Sequence, residues 1–193
     1  MDFALSKEQE MLRATVREFA QKEIDPKASE IDRLAMFPKE NVEKMAKMGL
    51  FGMTVPPPLG GSGAGLVSHL IAVEEIAAAC ASTAMILAPH VQVERGLLMF
   101  GTDAQKAKYL PPLAKGAKLS AIASTEAVGG SDVAALQCRA RREGDKYILN
   151  GSKIFICNAE EAGVTLVLAR TTEAPGVGGL SLLMVEKGTP CLL

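Results

Sequence analysis

Apolar positions in the first part of the chain recur at helical spacing. Leu12, Val16, Phe19, Ala20 and Ile24 fall on one face, and that repeat predicts an amphipathic helix. Ser6 with Gln9 supplies a capping box, each side chain taking up a backbone N–H that the first turn leaves orphaned. Asp25-Pro26 predicts the end of this helix. A second helix is expected from Pro38, a residue favoured in the first turn, to Gly49, with Val42, Met45 and Ala46 as its buried stripe. The run VPPPLGGSGAG (55–65) is too rich in Pro and Gly for regular structure. Two apolar helices are expected over 66–80 and 82–99. Thr102 with Gln105 then caps a short helix that should stop before Pro111-Pro112.

Beyond residue 118 the period changes. The stretch QCRARREGDKYILNGSKIFICN alternates short strand-like runs with turns, and Asn150-Gly151 is a type I′ hairpin signal. VTLVLAR (164–170) and LSLLMVE (180–186) are further strands. The expectation is an antiparallel sheet whose last strand has an uncovered edge. Helices followed by strands predict two domains, a helical one over 1–117 and a β domain over 118–193.

Composition narrows the function classes. The chain has 193 residues, 48% hydrophobic and 22% charged, as in soluble globular proteins. A net charge of −1 gives no electrostatic footprint for nucleic acid, and 4% aromatics without Trp offers no base-stacking platform. No apolar run is long enough to span a bilayer, and MDFALSKEQE lacks the basic start and apolar core of a secretory signal. Cys80, Cys138, Cys157 and Cys191 are widely spaced and, with only His69 and His90 beside them, show no zinc-ligand spacing. They read as free thiols of a cytoplasmic protein.

Several familiar chemistries are missing. There is no P-loop, and Leu66 stands where the third glycine of a dinucleotide fingerprint would follow Gly61 and Gly63. Ser124 and Ser131 have no G-x-S-x-G context, so a hydrolase triad has no support. Glu74 and Glu75 project about 100° apart on a helix and cannot form an acid/base pair, which leaves one of them for a cap or salt bridge. His69 and His90 read as structural histidines on Ala-rich helices. RARRE (139–143) reads as a solvated strand face.

The order of the motifs resembles the acyl-CoA dehydrogenase family across essentially the whole chain. PPPLGGSGAG is similar to the family's P-x-x-[YL]-G-G-x-G loop, and AVEEIA with ACAST to the helix after it. FGTDAQKAKYLPPLAKGAK resembles the segment closing the helical domain. STEAVGGSD resembles T-E-P-x-x-G-S-D, and YILNGSKIFICNA resembles Y-x-L-N-G-x-K-x-[WF]-I-[ST]-N-[AG]. The fold class implied is α+β: an N-terminal all-α helical bundle, then an antiparallel β-barrel-like domain, stopping before the family's C-terminal four-helix domain. Family members hold FAD and oxidise acyl-CoA thioesters to α,β-enoyl products. A carboxylate takes the α proton, the β hydride goes to flavin N5, and electrons pass to an electron-transfer flavoprotein.

The resemblance carries site roles onto particular positions. Ile122, Ala123, Ser124 and Thr125 would run along the flavin's pyrimidine edge, with backbone N–H groups and the Thr125 hydroxyl as donors. Ser131 would reach the FAD pyrophosphate or the pantetheine arm. Phe155 fills the slot of an aromatic that packs on the flavin, Cys157 that of the Ser or Thr beside N5, and Ile156 between them would also contact the cofactor. Gly129 and Gly130 leave room for the backbone to approach the cofactor. Ala84, Met85, Ala88 and Gln92 share one helix face that either lines the acyl pocket or is ordinary core.

Three departures from the family pattern qualify these roles. Ala127 stands in place of a proline that would pre-set the loop. Cys157 replaces a hydroxyl with a weaker S–H donor, although its backbone N–H could serve. The domain that supplies the family's catalytic glutamate, much of its FAD site and its oligomer interface is not in the sequence. Glu126 is expected to be structural rather than the base. The chain is therefore expected to be a fragment or truncated form that holds FAD weakly, does not turn over acyl-CoA and self-associates as a homo-oligomer. The alternatives are a non-catalytic relict that binds flavin, acyl-CoA or a partner, and an acyl-CoA-oxidase-like enzyme.

Overall fold

A computed structural model describes residues 4–190, which fall into two compact units divided between Lys118 and Leu119. Cys191, one of the four expected free thiols, lies outside the described residues; Cys80, Cys138 and Cys157 are free.

The first unit is helical. Helix α1 (Lys7–Phe19) opens on the expected capping box, with Gln9 N–H donating to Ser6 Oγ at 3.2 Å and Ser6 N–H to Gln9 Oε1 at 2.9 Å. It does not end at Asp25-Pro26. A π turn over Ala20–Ile24 leads directly into α2 (Asp25–Leu34), whose first turn contains Pro26. In the π turn the Asp25 N–H reaches back to the Ala20 carbonyl, and in the first turn of α2 a proline needs no N–H of its own. Val16, Ala20 and Ile24 are buried on the expected face.

Helix α3 (Lys39–Lys47) buries Val42 and Met45, with Ala46 half-buried. Helices α4 (Gly65–Ala79) and α5 (Ala81–Phe100) follow the irregular Pro/Gly run, and α6 (Asp103–Ala114) begins on the Thr102–Gln105 capping box. Helix α6 was expected to stop before Pro111-Pro112 but runs through both prolines. Leu110 and Leu113 on either side are fully buried, and that burial holds a last turn that local propensity disfavours. Its end is closed by Gly116 N–H on the Leu113 carbonyl at 2.8 Å and Ala117 N–H on the Pro112 carbonyl at 3.0 Å.

The second unit is a five-stranded mixed sheet rather than an antiparallel one, and it is not closed into a barrel. Strand β4 (Ala162–Arg170) pairs in parallel with β1 (Leu119–Ala123) and antiparallel with β5 (Leu180–Glu186). Between β1 and β4 in sequence come β2 (Arg139–Glu143) and β3 (Lys146–Asn150), an antiparallel hairpin that touches β4 only where Arg139 pairs with Arg170. β4 is buried along most of its length, which is why VTLVLAR carries no polar alternation. A parallel pair needs a long crossover, and the segment from Ser124 to Glu161 supplies it.

The turn of the hairpin is Gly144-Asp145, not Asn150-Gly151. Gly151, at φ 147°, sits against Cys138 so closely that a Cβ would lie 2.8 Å from Cys138 Cα. The chain after Gly151 leaves the sheet instead of returning along β3. RARRE behaves as a solvated strand, with Ala140 alone turned inward. Among the described residues no helix is long and apolar enough to cross a membrane.

Candidate functional site

β1 ends at Ala123, and the chain then crosses from buried to half-buried through Ser124 and Thr125. The next four residues close a tight turn. Glu126 N–H donates to the Gly129 carbonyl at 2.9 Å, and Gly129 N–H returns to the Glu126 carbonyl at 3.1 Å. Ala127, in place of proline, does not prevent this closure.

Glu126 anchors the loop from inside. Its carboxylate accepts from Gln137 N–H at 2.7 Å, Cys138 N–H at 3.0 Å and Lys153 Nζ at 2.8 Å. Burial by itself would raise its pKa, but Lys153 and the two backbone donors outweigh burial and hold the carboxyl below the ordinary range. An acid held ionised in this way is a structural anchor, as the family resemblance implied, and a poor proton acceptor.

The 152–157 segment lies alongside this loop. Ile154 N–H donates to the Thr125 carbonyl at 3.0 Å, and Lys153 Nζ donates to the Ser124 carbonyl at 2.9 Å. Immediately beyond, Phe155 takes φ 57° and exposes 87% of its surface. A positive φ in a non-glycine residue stores backbone strain, and the Phe155 ring is left open to contact. Ile156 and Cys157 are half-buried, and Asn158, also at positive φ, donates from Nδ2 to the Ser120 carbonyl at 3.2 Å. The two segments named from the sequence, 122–125 and 155–157, are therefore brought together.

Thr125 presents donors at this junction. Its hydroxyl and its backbone N–H bond to no group among the described residues. A Cβ on Gly130 would lie 3.3 Å from Thr125 Cγ2 and 3.7 Å from its Oγ1, so glycine keeps the space beside the hydroxyl open. Unspent donors, a glycine clearance and a protruding aromatic fit a planar ring with hydrogen-bond acceptors along its edge. Ser131 is exposed one residue beyond the glycine pair.

The remaining site positions belong to the helical unit. On α5, Ala84 is buried, Ala88 half-buried, and Met85 and Gln92 exposed. The face is split: Ala84 is core, whereas Met85, Ala88 and Gln92 form a solvent-accessible stripe. The histidines are structural but unequally satisfied. His90 Nε2 donates to the Leu113 carbonyl at 3.2 Å, while buried His69 leaves Nδ1 without a partner. Glu75 takes both guanidinium arms of Arg17 at 2.7 and 2.8 Å, the salt bridge foreseen for one of the two adjacent acids.

Sequence reasoning missed Lys153. It sits inside the quoted YILNGSKIFICNA run, but a lysine in a polar, Gly-containing stretch reads as surface. The usable signal was Glu126 in an otherwise small-residue loop, an acid that needs a cation once buried.

Comparison with known proteins agrees with this architecture. Residues 6–117 match "Acyl-CoA dehydrogenase, N-terminal domain" and residues 121–192 match "Acyl-CoA dehydrogenase, middle domain". The chain belongs to the acyl-CoA dehydrogenase family. It is 44% identical over 192 residues to acryloyl-CoA reductase (NADH) of Anaerotignum propionicum, covering 98% of this chain and 49% of that protein. It is 45% identical over 189 residues to the short-chain specific acyl-CoA dehydrogenase of Clostridium acetobutylicum, covering 97% and 50%. Among solved structures, butyryl-CoA dehydrogenase from Megasphaera elsdenii matches with a TM-score of 0.92 at 36% identity, covering 98% of this chain and 51% of that one. An FAD complex of PigA matches with a TM-score of 0.90 at 33% identity, covering 98% and 50%. The chain thus spans about half the length of the relatives it matches.

Proposed function

We propose that this chain supplies the flavin edge and part of the acyl-CoA site of an FAD-dependent oxidoreductase. The reaction acts on the α,β carbon–carbon bond of acyl-CoA thioesters, and electron-transfer flavoprotein is the electron partner. FAD, when bound, supplies the hydride acceptor. The observation that carries the reading is Thr125, whose free N–H and hydroxyl stand beside the clearance at Gly130 and the exposed Phe155.

In this reading Ile122, Ala123 and Ser124 lead the backbone to the cofactor's pyrimidine edge, and Thr125 donates to it. Donors aimed where negative charge accumulates stabilise the reduced ring. The Phe155 ring packs on the flavin face, Ile156 and Cys157 border it, and exposed Ser131 is available to a phosphate or pantetheine oxygen. On the helical unit, Met85, Ala88 and Gln92 are accessible to an acyl chain, whereas the burial of Ala84 restricts it to backing that surface.

Glu126 is not free to take a proton, because it is committed to Lys153 and two N–H groups. The 193-residue chain is therefore expected to bind added FAD weakly and not to dehydrogenate acyl-CoA. The test is titration of FAD into the purified chain, followed by flavin fluorescence, with butyryl-CoA turnover measured against an artificial electron acceptor. Saturable binding that weakens in Thr125→Val, without turnover, supports the reading. No flavin binding at any accessible concentration overturns it, and turnover overturns the assignment of Glu126.

A further inference from the structure

Lys153 and Glu126 form an ion pair with little access to solvent, their side chains 9% and 6% exposed. Such a pair is a poor device for stability alone, since two ions must be taken out of water and well-packed apolar residues often serve as well. Ile154 already ties the two segments together through its bond to the Thr125 carbonyl. What the ammonium adds is its second bond, 2.9 Å to the Ser124 carbonyl oxygen.

That carbonyl and the Thr125 N–H belong to one peptide unit. A cation on the oxygen draws electron density across the amide, so the N–H at the other end becomes a stronger donor. Glu126 fixes the ammonium in place, and Gln137 N–H and Cys138 N–H fix Glu126. The chain of contacts runs from the backbone at 137–138, through two buried charges, to one unspent N–H.

We propose that Lys153 is a positioning residue that polarises the Ser124–Thr125 peptide, strengthening the Thr125 N–H as a donor to a bound flavin and so raising its reduction potential. The proposal rests on the flavin reading given above. A purely structural lysine would hold the loop without altering the donor.

The test uses the 193-residue chain with Lys153→Met/Glu126→Gln, which removes both charges together, and with Lys153→Arg. In the flavin-free chain, the Thr125 amide proton is expected to move upfield in the double variant, while amides of β4 and β5 stay in place; Lys153→Arg restores the shift. At saturating FAD, the double variant is expected to lose about tenfold in its preference for reduced over oxidised flavin, a drop of about 30 mV for a two-electron couple, and Lys153→Arg to recover most of it. Should the double variant fail to fold, Lys153→Gln, which keeps a neutral donor near Ser124, is expected to shift both readouts in the same directions by about a third as much.

An unmoved Thr125 resonance in a folded variant overturns the proposal. An unchanged potential with FAD bound overturns the tuning while leaving the flavin reading intact. A wild-type chain that takes up no FAD overturns the flavin reading and the tuning with it, whatever the resonance does.

Discussion

His90 Nε2 lies 3.5 Å from Glu94 Oε1, one helical turn away on α5, and both side chains are buried. Thr54 Oγ1 approaches the other oxygen of Glu94 at 3.5 Å, and Oε1 itself takes no hydrogen bond. Burial is the largest influence on the Glu94 carboxyl and raises its pKa; His90 and Thr54 only partly oppose it. A group whose folded pKa is raised contributes stability below its unfolded value, and that contribution is lost as pH rises through the folded value. Glu94→Gln keeps the shape without the charge. The variant is expected to gain stability relative to the parent as pH is raised from 5 to 8, measured by urea denaturation at each pH. A constant difference across that range would refute the assignment.

His69, in the same helical unit, works in the opposite direction. Burial first, and His90 second, depress its pKa from 6.5 to about 4. A group with a depressed folded pKa contributes stability above its unfolded value and loses it as pH falls. Between pH 6.5 and 4 the unfolded chain takes up a proton that the native state refuses, which costs up to about 3 kcal/mol. His69→Met, similar in bulk and without the titrating ring, is expected to flatten the acid limb of the stability profile. An unchanged limb would mean that the loss arises elsewhere.

How much of this was legible in the sequence depended on the range of the interaction. Ser6–Gln9 and Thr102–Gln105 were readable because a capping box is complete within four residues. The continuation of α6 through Pro111 and Pro112 was not, since burial of Leu110 and Leu113 by the rest of the unit overrides a local breaker. The parallel partnership of β1 with β4 was hidden because strand composition reports burial on both faces but not which strand lies alongside. Around the candidate site, Thr125 and Phe155 were named by motif, and the clamp of Lys153 on Glu126 was not, because its partners are 27 residues apart and a lone lysine in a loop carries no mark of burial.

Asn150-Gly151 resembled a hairpin signal, yet Gly151 is needed for a different reason. A Cβ there would lie 2.8 Å from both the Cα and Sγ of Cys138, and φ is 147°. Gly151→Ala is therefore expected to cost about 2–3 kcal/mol, from backbone strain and from overlap with backbone that cannot move aside. The loss should appear in chemical denaturation of the chain. Gly144, at φ 63° in the hairpin turn with open space around it, is the control: Gly144→Asn is expected to be near neutral, because Asn tolerates the left-handed region. Equal costs at the two positions would show that contact with Cys138 is not what constrains Gly151.

Gly130 separates fold from function more sharply. Its added Cβ would meet only the Thr125 side chain, at 3.3 Å from Cγ2. A threonine on a half-buried loop can yield by the few tenths of an ångström required, so Gly130→Ala is expected to leave stability within about 0.5 kcal/mol. The yielding group, however, is the one whose hydroxyl is proposed to meet the flavin. A displaced hydroxyl and a filled clearance are expected to weaken FAD binding about tenfold, or about 1.4 kcal/mol, an effect comparable to that of Thr125→Val. The double variant Gly130→Ala/Thr125→Val should then be little worse than either single change, since both act through one donor. Full additivity in the double variant would place the effect of Gly130 on some other contact with the cofactor, and unaltered binding in Gly130→Ala would remove the clearance from the argument for the site.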